Sequence, residues 1–326
     1  MMYSHEIIGD STAILEVKKM VQRVARSKAL AVLIYGETGT GKGLIAEKLH
    51  QQSVRSQKPF IDVNCASIPV DLFDQEFFGQ ERGKLSNVLL RNNGLINAAN
   101  GGTLFLDEVP ELNHLSQTKL LGLLDRRRFR RIGSVRDVEV DIRFICATNR
   151  ILFKEVKAGK FRNDLYFRLQ VVSINIPPLR ERGDDSLILA EYFIKEFNRR
   201  YGRTVKGWEP SISEIFRAYH WPGNVRELEN LLERIFVLET DDQILVKHIP
   251  PRIMRELESG ASLTHSNSLT EIIGVNKSFQ DATSEFQVKI IQNALSLKNG
   301  KLSQAADLLG LSRHALRHQM NKLHMR

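Results

Sequence analysis

Two short stretches hold residues whose types and spacing could handle phosphate. The first is GETGTGKG, comprising Gly36, Glu37, Thr38, Gly39, Thr40, Gly41, Lys42 and Gly43. Its glycines let the backbone fold N–H groups around anionic oxygens, and Lys42 places a cation on β/γ-phosphate oxygens. The hydroxyl that usually follows such a lysine as a magnesium ligand is missing, because position 43 is glycine. The second is LFLDE, Leu104 to Glu108. There Asp107 would hold a metal ion with its water shell, and Glu108 would polarise an attacking water. A pair of acids at a strand end is often only solvated, but downstream of a phosphate loop it gains chemical meaning. Asn64 and Asn149 also close apolar runs. Each is either an ordinary turn residue or a further corner of the same site.

These residues need elements that converge. Leu30 to Tyr35 has strand character and runs into the glycine-rich turn, and Leu44 to Gln51 follows as a helix. Phe60 to Cys65, Thr103 to Leu106 and Val140 to Ala147 are further β-type runs. Strands alternating with helices predict an α/β fold, a parallel sheet covered on both faces, with the four places at one edge. After Pro177-Pro178 the pattern turns helical, clearest at Leu187 to Arg200, Ile212 to Tyr219 and Val225 to Leu238. Pro222 and Gly223 introduce the last of these, with Asn224 as its expected cap. The expected organisation is an α/β nucleotide-binding part over 1–176, a helical lid over 177–256, a linker over 257–278 and an all-α tail over 279–326.

The tail carries GKLSQAADLLGLSRHALRHQMNKL, Gly300 to Leu323, with the rhythm of a helix-turn-helix. Ala305 and Ala306 allow close helix contact, Gly310 sits at the turn, and Ser312 is placed to cap a second helix. Leu316, Met320 and Leu323 repeat at core spacing on that helix. Its opposite face presents Arg313, His314, Arg317, His318 and Asn321, suited to phosphates and base edges of double-stranded DNA. A formal charge of +9 agrees with a polyanionic partner. No apolar run is long enough to span a membrane. The start, MMYSHEIIGD, lacks a signal-peptide pattern, so a cytoplasmic protein is expected. Cys65 and Cys146 each lie in an apolar run and are expected as core residues.

GETGTGKG, VNCAS, GGTLFLDE, FRRIG, ATNR, FRNDLYFRL, PPLRER and WPGNVRELEN occur in this order. In them the chain resembles AAA+ ATPases of the bacterial enhancer-binding class, the activators of sigma-54 RNA polymerase, from Ile7 to Arg326. The resemblance implies ATP with Mg2+ on the Walker A loop, Asn64 restraining Glu108, and Asn149 sensing the γ-phosphate. It implies that Arg162 and Arg168 are arginine fingers on a neighbouring subunit's nucleotide, and that Arg226 is the lid's sensor. Fingers supplied in trans imply self-association, from dimer to hexameric ring. The tail resembles the Fis-type helix-turn-helix of these activators, which argues against a remodeller unrelated to transcription. The AAA+ pattern begins at Ile7, so regulation is expected from another protein or small molecule, or from a sensory domain not present in this sequence. The basic run RRRFRR, Arg126 to Arg131, could be read as a nucleic-acid patch, but FRRIG resembles a loop the family places near the pore of the ring, so an intramolecular or intersubunit role is expected over a DNA contact.

One segment departs from the family. Where these activators carry the signature GAFTGA on a loop that pushes on sigma-54, residues Gly83 to Val88 are GKLSNV. The aromatic is replaced by Leu85, a hydroxyl survives at Ser86, and the second glycine is Asn87. An aromatic anchor is lost and the turn is stiffened. The expectation is a DNA-binding regulator whose ATPase ring has lost or altered its engagement of sigma-54 polymerase. The alternative is an active sigma-54-dependent activator.

Overall fold

The computed structural model describes residues 6–81, 93–264, 287–288, 291–295, 298, 301–311 and 313–323. Residues Gly83 to Val88, Gly300 and Ser312 lie outside them. The chain divides into two compact units, Met1–Pro250 and Pro251–Arg326.

The first unit opens with α1 (Thr12–Ala25), whose Ser11 side chain accepts the Ile14 N–H. Then come β1 (Ala31–Tyr35), α2 (Lys42–Gln51), β2 (Phe60–Asn64), α3 (Val70–Phe78) and α4 (Leu95–Ala98). They are followed by β3 (Thr103–Asp107), α5 (His114–Arg126), β4 (Arg128–Arg130), β5 (Asp137–Glu139) and β6 (Arg143–Thr148). The α/β part closes with α6 (Leu152–Lys157), α7 (Asn163–Leu169) and β7 (Ser173–Asn175). The sheet has five strands in the order β2-β3-β6-β1-β7, paired in parallel as the alternation predicts.

Period-two alternation explains why both faces are covered. Leu33, Leu104, Leu106, Phe144 and Cys146 join a core with Phe73, Phe77, Leu120 and Leu165. Their alternates Val32, Ile34, Phe105, Ile145 and Ala147 pack with Val17, Val21, Ile45 and Leu49 on the other side. Each Val, Leu, Ile or Phe among them contributes about 1.5–3 kcal/mol when fully buried. Cys65 and Cys146 are free and buried, and burial pushes the Cys146 thiol up to about 12. Register aligns the strand ends: Asn64 pairs with Asp107, and Tyr35 with Thr148.

The helical part comprises α8 (Asp185–Tyr201), α9 (Pro210–Ala218) and α10 (Asn224–Leu238). Aromatic contacts bind it together: Phe197 lies 5.4 Å from Phe236, and Phe216 meets Trp221 edge-on at 5.5 Å. The buried Trp221 indole donates to the Phe216 carbonyl at 2.9 Å.

The second unit contains α11 (Pro251–Thr264), α12 (Leu302–Leu308) and α13 (Arg313–Lys322). Ala305, Ala306 and Leu316 are buried together with Ile291 and Ala294, and Met320 and Leu323 pack against them. Gly310 takes φ +64 between the helices, and Leu311 N–H returns to the Ala306 carbonyl at 2.9 Å. The small alanines and the turn glycine therefore do what their spacing predicts.

Four local expectations change. Strand β6 starts at Arg143 rather than Val140, and Asp141 before it is paired with Arg55 at 2.8 Å. FRRIG is not simply a loop: Arg128 to Arg130 pair antiparallel with Asp137 to Glu139, and Arg130 bonds Asp137 at 2.6 Å. Helix α11 runs to Thr264, through the first residues of the expected linker, whose remainder lies outside the described residues. Asn224 is not the cap of α10. Gly223 holds that position, and Asn224 is the first helical residue, with φ +52 and its carboxamide spent elsewhere.

Candidate nucleotide-binding site

Strand β1 delivers the chain into Gly36, and the loop closes on itself before α2. Thr40 Oγ1 donates to the Glu37 carbonyl at 2.8 Å, and Gly39 and Gly41 take φ +80 and +96. A Cβ on Gly39 would lie 2.1 Å from the Gly223 carbonyl oxygen, so both conformation and space demand glycine there. At Gly43 an added Cβ would only touch Phe105 at 3.9 Å, so nothing in the packing forbids a hydroxyl residue.

Thr38 to Gly43, Asn64, Asp107, Glu108 and Arg226 line one cleft of about 750 Å³. Lys42 is buried, with Nζ 3.1 Å from the Gly36 carbonyl and 3.5 Å from Glu108. Glu108 holds φ +51, a left-handed conformation that costs energy in a non-glycine residue and here aims its carboxylate into the cleft. Its Oε2 accepts the Asn149 N–H at 3.3 Å, and Asn149 Nδ2 donates to Thr38 Oγ1 at 3.1 Å. The four places thus meet at one edge. Gly36, Glu37 and Asn149 line a neighbouring groove instead, and the Glu37 carboxylate points to Arg180.

Asn64 sits beside Asp107, yet its carboxamide oxygen accepts the Ala66 N–H at 2.9 Å. No hydrogen bond among the described residues joins it to Glu108, so the restraint implied by the resemblance is not made in this conformation. The Asp107 carboxylate accepts Glu108 N–H at 3.1 Å and keeps further lone pairs for a cation. A single carboxylate at a strand end fits magnesium, which keeps several waters and takes phosphate oxygens as ligands.

Arg162 and Arg168 stand apart from this cleft. Arg162 is paired with Asp164 at 2.7 Å, and Arg168 with Asp125 at 3.0 Å, both partly exposed. In the tail, Arg313, His314 and Arg317 are exposed on α13, while the side chains of His318 and Asn321 lie outside the described residues.

Sequence reasoning missed the cleft's far wall. Ile7 and Ile8 face Leu189, Tyr192 and Phe193 of α8 there, and the Tyr192 hydroxyl is buried without a partner among the described residues. The buried Arg182–Asp185 pair ties these two segments together: Arg182 Nη2 donates to the Ile8 carbonyl at 2.7 Å, and the Asp185 carboxylate accepts Asp10 N–H at 2.8 Å. PPLRER was the available signal, since its second arginine is Arg182. Glu229, one turn beyond Arg226, also lines the cleft, and burial followed by Glu233 pushes its carboxyl up.

A parallel sheet with a phosphate loop, an acidic strand end and a helical lid over the same cleft defines an AAA+ P-loop protein. A model of the sigma-54 interaction domain matches residues 7–175. The AAA+ ATPase lid domain matches 180–266, and the Fis family of bacterial regulatory proteins matches 284–323. The chain belongs to the sigma-54 interaction domain family, with a AAA+ lid and a Fis-type helix-turn-helix. It is 40% identical to nitrogen fixation protein AnfA of Azotobacter vinelandii over 97% of this chain and 57% of that protein. It is 39% identical to response regulator protein PilR of Pseudomonas aeruginosa over 98% of this chain and 70% of that protein. The chain therefore spans little more than half of AnfA. Crystal structures of NtrX from Brucella abortus, one in complex with ADP and one with ATP, match with TM-score 0.71 at 30% identity. They cover 98% of this chain and 69% of NtrX. No described helix is long and apolar enough to cross a membrane.

Proposed function

We propose that this chain is a cytoplasmic, DNA-binding transcription regulator that binds and hydrolyses ATP in a ring oligomer and has lost or altered its engagement of sigma-54. The observation that carries the nucleotide half is the convergence of Lys42, Asp107, Glu108 and Arg226 on one cleft. The ATP complex of the related NtrX supports the choice of nucleotide. Lys42 and the N–H groups of the loop bind the β/γ-phosphates, and Arg226 approaches them from the lid. Glu108 orients and deprotonates the attacking water, and Asn149 joins it to Thr38. A magnesium ion held by Asp107 would supply charge neutralisation on the phosphate oxygens. Arg162 and Arg168, away from their own cleft, serve the site of a neighbouring copy, so hydrolysis requires assembly.

The tail binds double-stranded DNA, at an enhancer or operator, through Arg313, His314 and Arg317 and, by sequence, His318 and Asn321. The sigma-54 half rests on the identity of Gly83 to Val88, GKLSNV, which lacks the aromatic and second glycine of GAFTGA. The match of the sigma-54 interaction domain across residues 7–175 favours a second reading, an activator that still remodels sigma-54 polymerase. A sigma-54 promoter in vitro decides between them. The natural chain is compared with one whose residues 83–88 are rewritten as GAFTGA. Opening by the rewritten chain alone supports a sound motor with a lost contact. Equal opening by the natural chain establishes the second reading.

A further inference from the structure

The phosphate loop is fastened to the lid by side chains that have no assigned part in phosphate chemistry. Asn224 is fully buried at the start of α10. Its Oδ1 accepts Leu179 N–H at 2.8 Å, and its Nδ2 donates to the Thr38 carbonyl at 3.0 Å and to Glu37 Oε2 at 3.2 Å. Both amide hydrogens and the carbonyl are therefore spent on three separate points. Arg180 completes the set with a two-pronged pair to Glu37, at 2.6 and 2.8 Å.

The backbone makes the same connection. The Gly223 carbonyl lies so close over Gly39 that no Cβ fits between, and Arg226 N–H donates to the Gly39 carbonyl at 3.3 Å. Asn224 itself adopts φ +52, which asparagine tolerates better than most residues. Few side chains meet both demands. Aspartate accepts from Leu179 but has no donor for Thr38 and sets a carboxylate against Glu37. Glycine keeps the backbone and loses every contact. Thr38 is thereby held from two sides, by Asn149 at its hydroxyl and by Asn224 at its carbonyl. Any movement of Glu37 to Gly39 must move the start of α10, and Arg226 with it.

We propose that Asn224, with Arg180 and Glu37, is a positioning element that sets Arg226 against the phosphate loop, so that the lid's contribution to nucleotide affinity passes through these contacts. The inference rests on the cleft being the ATP site.

The test is a double-mutant cycle on the full chain, with MgATP binding followed by titration calorimetry and folding checked by thermal unfolding. Arg226→Ala is expected to weaken MgATP about tenfold in the natural background but less than about twofold beside Asn224→Asp, within the range of coupling seen between residues of one network. Asn224→Asp alone should cost about as much as Arg226→Ala. A merely structural asparagine would give losses that add, and additive losses overturn the proposal. If Asn224→Asp fails to fold, the same cycle is run with Asn224→Gly or with Arg180→Gln, and additivity there is equally fatal. Absence of MgATP binding by the natural chain overturns the reading of the cleft itself, and the natural chain's titration alone reveals it.

Discussion

Replacing Asp185 by alanine is expected to destabilise the Met1–Pro250 unit by about 3–5 kcal/mol, the range for breaking one partner of a buried ion pair. Asp185 and Arg182 are 1% and 3% exposed. The carboxylate accepts Asp10 N–H at 2.8 Å, Ser11 N–H at 3.0 Å, Ser11 Oγ at 2.9 Å and Arg182 Nε at 2.8 Å. Removing it leaves the Asp10 and Ser11 donors without this acceptor and the Arg182 guanidinium buried without its carboxylate, with Arg182 Nη2 on the Ile8 carbonyl as the remaining anchor. Both tryptophans, Trp208 and Trp221, lie in the lid that α8 helps to build, so their fluorescence in urea reports the loss directly. With a slope of about 2 kcal/mol per molar, the midpoint should fall by about 2 M. Burial pushes the Asp185 carboxyl up, but Arg182 and the N–H groups of Asp10 and Ser11 outweigh it, and the net shift is downward. A lowered folded value means the stabilisation is complete above the unfolded value of about 3.9 and is lost as pH falls through the folded one. The gap between natural chain and variant should therefore be constant from pH 7 to 5 and close only below about 4. A loss under about 1 kcal/mol, or a gap already closing at pH 6, would refute the reasoning.

Lys42→Ala should abolish ATP binding, since the loop loses its only cation; unchanged affinity would remove the site. Arg168→Ala should bind ATP normally but turn it over about 10³-fold more slowly, the scale of an arginine finger. Turnover per subunit in the natural chain should rise with protein concentration, and a concentration-independent rate that survives Arg168→Ala would exclude a site completed in trans. Gly39→Ala should lose nucleotide binding through its clash with Gly223, and an intact site in that variant would mean the loop and lid do not touch. Deleting residues 300–326 should abolish specific DNA binding, which in the full chain falls steeply with salt; retained binding would move the DNA contact to Arg126–Arg131.

How much of this was legible in advance follows from which interactions are local. The phosphate loop, the acidic strand end and the helix-turn-helix depend on backbone conformations that glycine, spacing and apolar periodicity impose within a few residues. They could be located from the sequence, and the parallel sheet followed from alternation alone. The short pairings of β4, β5 and β7 could not, because three-residue strands carry too little periodicity to announce a partner distant in the chain. Asn224 shows the limit most clearly. Beside proline and glycine it has every local mark of a helix cap. Packing instead brings Leu179, Thr38 and Glu37 to its carboxamide, and three hydrogen bonds outweigh the one a cap would make. Asn64 had a chemically reasonable partner in Glu108, but the carboxylate is drawn to Lys42 and the Asn149 N–H, and the asparagine satisfies itself on Ala66. The sequence by itself determined which residues could bind phosphate and that one sheet edge must gather them. Tertiary structure decided how the lid grips the loop and which buried charges meet, because those contacts join residues far apart in the chain, and only packing sets their distances.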